Sequence, residues 1–194
     1  VKGRMEKALK MLSSVIDATD GGIFILTTSY SALNEAYEYM SAHYSNKRRI
    51  LKQGSNMTVS DTMQAFIKAG NAVLIGTSSF WEGVDVPGKA LSLVIIDKMP
   101  FTQVGDPITK AIEGKLKSKG LNVFKCESLP NAIIALRQGA GRLIRNEADT
   151  GALVLLDPRL HTKNYGQTVF NSLPPMTHVT SVTEVLSFLK KVKS

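Results

Sequence analysis

The residues best suited to chemistry form the run Gln138-Gly139-Ala140-Gly141-Arg142-Leu143-Ile144-Arg145. Positions 138, 142 and 145 are spaced by four and three, so on a continuous helix they share one face. The spacing predicts a helix from Pro130 to Ile144, with Pro130 in its first turn. Ile133, Leu136, Ala140, Leu143 and Ile144 then lie roughly opposite and pack on a sheet, while Gln138 and both arginines point away together. Paired guanidinium groups suit a phosphate, because their donors match its oxygens two at a time. Inside a helix Gly139 and Gly141 each cost about 1 kcal/mol relative to alanine. Their place beside the arginines points to close approach of a ligand or another backbone. The competing reading is a solvated arginine face.

A second constellation runs from Gly76 to Gly88. Thr77 and Ser78 supply hydroxyls beside flexible amides, a combination that holds phosphates. Trp81, the one tryptophan, suits either base stacking or a core anchor. Glu82 and Asp85 follow, and Asp85 could accept from a ribose or orient an arginine. The stretch Gly83 to Lys89 imitates a P-loop, but Ala90 stands where a hydroxyl should reach magnesium, and the next segment is strand-like. Asp97 and Asp157 close apolar runs and read as structural strand ends.

Other chemistries are poorly supplied. Cys126 is the only cysteine, which excludes an internal disulfide and a cysteine-rich metal site. It reads as a buried or incidental thiol, and a reducing compartment fits. His43, His161 and His178 lie far apart without metal spacing. The 194 residues are 43% hydrophobic and 21% charged, with net charge +8, which favours a polyanionic partner. No apolar run is long enough for a membrane span. The opening Val1-Lys2-Gly3-Arg4 lacks a signal-peptide pattern and fits trimming of a longer chain.

Elements able to position these residues alternate along the chain. Strands are expected at Gly22 to Thr28, Lys47 to Lys52, Asn71 to Gly76, Leu91 to Asp97 and Gly151 to Asp157. Helices are expected at Glu6 to Ile16, Ala32 to Ala42, Ser60 to Lys68, Val104 to Lys119, Pro130 to Ile144 and Val182 to Val192. Ser29 or Ser31 can cap the second helix. Pro158 to Pro175 reads as a long irregular excursion. The alternation predicts one α/β domain over residues 1–194, a parallel sheet covered by helices on both faces. Ligands of such sheets meet the loops beyond the carboxyl ends of the strands. On that rule Thr28, Ser29, Thr77, Ser78 and Trp81 should converge at one edge of the sheet, where the hydroxyls either hold a phosphate chain or cap the following helices.

Gly76 to Gly88 followed by Gln138 to Arg145 resembles motifs V and VI of superfamily 2 helicases. The forms Ser-Phe-Trp-Glu-Gly-Val-Asp-Val-Pro-Gly and Gln-Gly-Ala-Gly-Arg-Leu-Ile-Arg resemble the DinG and XPD branch in particular. Thr27-Thr28-Ser29 is similar to its motif IV, and Leu155 to Arg159 to its next strand. The resemblance implies a RecA-like second motor domain without its own P-loop. It implies Arg145 as the arginine finger on ATP, assisted by Arg142. Gln138, Gly141, Glu82, Gly83 and Asp85 would lie at the nucleotide-facing surface. It further implies an ATP-dependent DNA helicase, with ATP and Mg2+ at the interface with an N-terminal motor domain of the same protein. Any iron–sulfur cluster would sit in that other half, and none in this chain. Single-stranded DNA is the implied partner, in a cytoplasmic, nucleoid-associated setting. A non-enzymatic nucleic-acid-binding module, an RNA helicase half and a small complete nucleotide-binding enzyme are the competing readings.

Overall fold

The computed structural model describes residues 3–77, 80, 90–102, 107–144 and 149–193. Its centre is a sheet of parallel strands β1 (Gly22–Thr27), β2 (Ile50–Lys52), β3 (Val73–Thr77), β4 (Leu91–Ile96) and β5 (Ala152–Leu155), in the order β2-β3-β1-β4-β5. β1, β3 and β4 are near-continuous apolar runs because both their faces are covered. Side chains alternate across the pleat. Phe24, Leu26, Leu74, Val94 and Ile96 enter one core, whereas Ile23, Ile25, Val73, Ile75, Leu93 and Ile95 enter the other.

Helices α1 (Arg4–Met11), α2 (Ser13–Ala18), α3 (Tyr30–Tyr44) and α9 (Val182–Lys193) cover the second core. The opening helix expected from Glu6 to Ile16 is thus two, bent at Leu12 (φ −90°, ψ 4°), with Leu9, Leu12, Val15 and Ile16 all buried. Ser29 caps α3, its Oγ accepting from the Ala32 amide at 3.2 Å. The first core is covered by α4 (Val59–Ala69), α6 (Leu129–Ala140) and α8 (Gly166–Ser172). α4 begins at the Thr58 cap and stops at Gly70, whose φ of 69° is left-handed backbone that glycine adopts without strain.

α5 (Pro107–Ser118) buries no residue, and a π-helical turn, Phe124–Ser128, leads into α6. Pro158 to Pro175 is not irregular. It holds α7 (Arg159–Thr162) and α8, too short for an apolar period to show. The two approach so closely that a Cβ on Gly166 would fall 1.8 Å from the Leu160 carbonyl oxygen. Cys126 is exposed, not buried. Among the described residues no helix is long and apolar enough to cross a membrane.

Candidate nucleic-acid and nucleotide interface

Parallel pairing brings the ends of β1, β3 and β4 level, with Thr27 opposite Thr77 and Leu26 opposite both Gly76 and Ile96. Thr28 and Ser29 therefore sit beside Thr77 at the carboxyl edge, as expected. Thr28 is half-buried and Ser29 exposed. Thr77 is only 8% exposed, and its amide and hydroxyl both donate to Gln53 Oε1, at 2.7 and 2.9 Å. Gln53 was not singled out from the sequence; its only signal is its place directly after a strand. Gly76 leaves room for the Phe80 ring, which a Cβ there would meet at 3.0 Å. Ser78, Trp81, Glu82, Gly83 and Asp85 lie outside the described residues.

Beside Ser29 opens a cavity of about 490 Å³, lined by Arg4, Ser31, Asn34, Glu38, Asp97 and Lys98 among others. Arg4 reaches across the strand ends, pairing with the buried Asp97 carboxylate and donating to the carbonyls of Asp97 (2.9 Å) and Leu156 (3.4 Å). Glu35 accepts from the Gly3 and Met5 amides, and that from Gly3 contributes most to holding its carboxyl below the usual range. Asp157 lies two residues beyond the end of β5. Burial pushes its pKa up, but the Arg159 side chain and the Met99 and Arg159 amides outweigh this and hold it below the usual value. Both strand-end aspartates are thus engaged by arginines, in keeping with a structural role. Among the described residues no group of three His, Cys, Asp or Glu is placed to hold a metal ion.

The arginine run lies elsewhere. α6 stops at Ala140, four residues short of the expected Ile144. The chain tightens beyond it into 3₁₀-type turns, the Arg142 amide donating to Gly139 O (3.2 Å) and the Leu143 amide to Ala140 O (3.0 Å). Leu143 leaves the helical path to pack over Gly151, where a Cβ would meet Leu143 Cδ1 at 2.4 Å and the Ser92 carbonyl oxygen at 2.9 Å. Ser92 and Gly151 stand at the starts of β4 and β5, so the turn holding Gly141 and half-buried Arg142 lies at the amino edge. Gln138 remains exposed on α6, beside Asn131, Ile134 and Ala135. Gln138 and Arg142 therefore stand on either side of the end of α6 instead of within one continuous helix. Arg145 lies outside the described residues.

The sequence profile of the family described as helicase C-terminal domain matches residues 12–176. The chain is 42% identical over 187 residues to the ATP-dependent DNA helicase YoaA of Escherichia coli K12, covering 96% of this chain and 29% of that protein. It is 36% identical over 184 residues to the ATP-dependent helicase DinG of Mycobacterium tuberculosis H37Rv, covering 95% of this chain and 27% of that protein. The chain thus spans less than a third of the length of these relatives. A solved XPD helicase structure superposes with a TM-score of 0.66 at 18% identity, over 91% of this chain and 32% of that one. That likeness supports the RecA-like fold.

Proposed function

The chain belongs to the helicase C-terminal domain family, and from that premise we propose that it is the second motor domain of an ATP-dependent DNA helicase of the DinG and YoaA type. The observation that carries the reading is the family match over residues 12–176, in a sequence with the runs Gly76 to Gly88 and Gln138 to Arg145 but no complete P-loop pattern. A phosphate cradle must then come from another domain, and ATP is shared between the two. In this reading residues 1–194 form one domain.

Arg145 and Arg142 supply positive charge to the transferred phosphoryl group. Such arginines are worth on the order of 10³ to 10⁵ in rate. Gln138, Gly141, Glu82, Gly83 and Asp85 complete the nucleotide-facing side. At the carboxyl edge Thr28 and Ser29, with Thr77, Ser78 and Trp81, carry single-stranded DNA. Closure and reopening of the two domains move the strand. Magnesium, and any iron–sulfur cluster, belong to the other domain.

The test is phosphate release with saturating single-stranded DNA. The full-length protein is expected to hydrolyse ATP in a DNA-stimulated manner, and this domain alone to release essentially none. Turnover of several per second by the isolated domain would overturn the shared-site reading.

A further inference from the structure

Three aromatic side chains meet where β4 and β5 deliver the chain to the carboxyl edge. Phe124 lies 5.7 Å from Phe101 and 5.3 Å from Tyr165, and Phe101 lies 6.0 Å from Tyr165 in an edge arrangement. Phe101 follows β4, while Tyr165 lies beyond β5 in the turn before α8. Phe124 opens the π-helical turn, closed by the Leu129 amide donating to the Phe124 carbonyl. Wide turns of this kind recur at functional sites. Packing covers Phe101 and Tyr165 in part, but Phe124 is left 39% exposed.

A cation is fixed against the same cluster. The Arg159 guanidinium carbon lies 5.2 Å from the Phe101 centroid. Asp157 holds that guanidinium through Nε (2.9 Å) and Nη2 (2.6 Å), which leaves Nη1 without a hydrogen bond among the described residues. Lys125, next to Phe124, is exposed, as are Lys110, Lys115 and Lys117 of α5. An open ring beside a preset guanidinium and a lysine-rich helix combines a stacking platform with a positive field.

We infer that Phe124, backed by Phe101 and Tyr165, is a base-stacking site for one nucleotide of single-stranded DNA, with Arg159 receiving its phosphodiester. The inference rests on the DNA reading above. It extends the strand path from the ends of β1 and β3 to those of β4 and β5. Stacking is tolerant of sequence because every base presents a π-face.

The test uses the full-length protein and labelled oligonucleotides at fixed salt. Phe124→Leu keeps apolar volume but removes the ring, and should weaken binding about tenfold, within the range stacking carries. Phe124→Trp should restore it. An oligonucleotide of abasic sites should bind wild type and Phe124→Leu alike. Independently of folding in any variant, a 5-iododeoxyuridine strand should photocross-link to Phe124 or Tyr165 of the wild type. Equal affinities in well-folded variants, or cross-links confined to other segments, would overturn the site while leaving the DNA reading intact. A wild-type protein that binds no single-stranded DNA would remove both.

Discussion

The two edges of the sheet are built by different means. At the carboxyl edge side chains arrange the loops: Gln53 takes both donors of Thr77, Ser29 caps α3, and Arg4 and Arg159 neutralise Asp97 and Asp157. At the amino edge backbone packs closely on backbone, and a single side chain ties its carbonyls together. A Cβ on Gly22 would fall 2.3 Å from the Ala90 carbonyl oxygen, and one on Gly151 2.9 Å from that of Ser92. Arg48 closes the same end, donating to the carbonyls of Gly21 (2.9 Å), Asn71 (2.7 Å) and Ile16 (3.4 Å), and also to that of Thr19; burial lowers its pKa. The edge proposed to follow a moving strand thus rests on exchangeable polar contacts. The edge carrying the turn at Arg142 is clamped, which suits the fixed electrostatic role proposed for it.

Substitutions at each edge in turn should separate the two roles. In the full-length protein Arg145→Ala should lower DNA-stimulated hydrolysis by about 10³-fold or more while single-strand affinity stays nearly unchanged. Arg142→Ala should act in the same direction, less severely. The pair Thr28→Ala and Ser29→Ala should do the reverse, weakening DNA binding and stimulation with basal turnover retained. Steady-state phosphate release and fluorescence anisotropy separate the outcomes. Loss of DNA binding in Arg145→Ala with normal turnover would erase the division of labour.

A smaller effect tests the clamp. Gly151→Ala forces a methyl group against Leu143 and the Ser92 carbonyl, and overpacking of this kind costs about 1–3 kcal/mol. For a domain of this size that is a fall in Tm of about 2–4 °C per kcal/mol. Hydrolysis should fall with it, because Leu143 fixes the turn beside Arg142. A melting curve and turnover both equal to wild type would show that the close approach relaxes freely.

The smallest expected effect lies at the carboxyl edge. Asp157 has a folded pKa below its ordinary value, so its stabilisation is present above about pH 3.9 and is lost as pH falls through the lowered folded value. Asp157→Asn should cost about 1.5 kcal/mol at neutral pH, the low end for a hydrogen-bonded charge, because Arg159 is 40% exposed and partly screened. Thermal melts of the two proteins should differ at pH 7 and converge in acid. A gap that persists unchanged below pH 3 would assign the cost to packing instead of charge.

Strand and helix alternation, the buried parallel strands and the convergence of Thr28, Ser29 and Thr77 were legible in the sequence, because periods of 2 and 3.6 and the parallel-sheet rule act locally or through topology alone. The family was legible too, through the runs Gly76 to Gly88 and Gln138 to Arg145. The run Ile133, Leu136, Ala140, Leu143 and Ile144 marks where that ends. All five do enter or pack against one core, as a helical stripe requires. Yet α6 stops after Ala140, and Leu143 reaches the core through a turn, over Gly151 at the start of the next strand. Burial was written in the local pattern. How α6 ends beside Arg142 was decided by a contact with residues the helical pattern does not contain, and so was the use of Thr77 to hold Gln53. Sequence periodicity records which side of an element is apolar, whereas the end of a helix and the partner of a hydroxyl depend on what the folded chain brings against them.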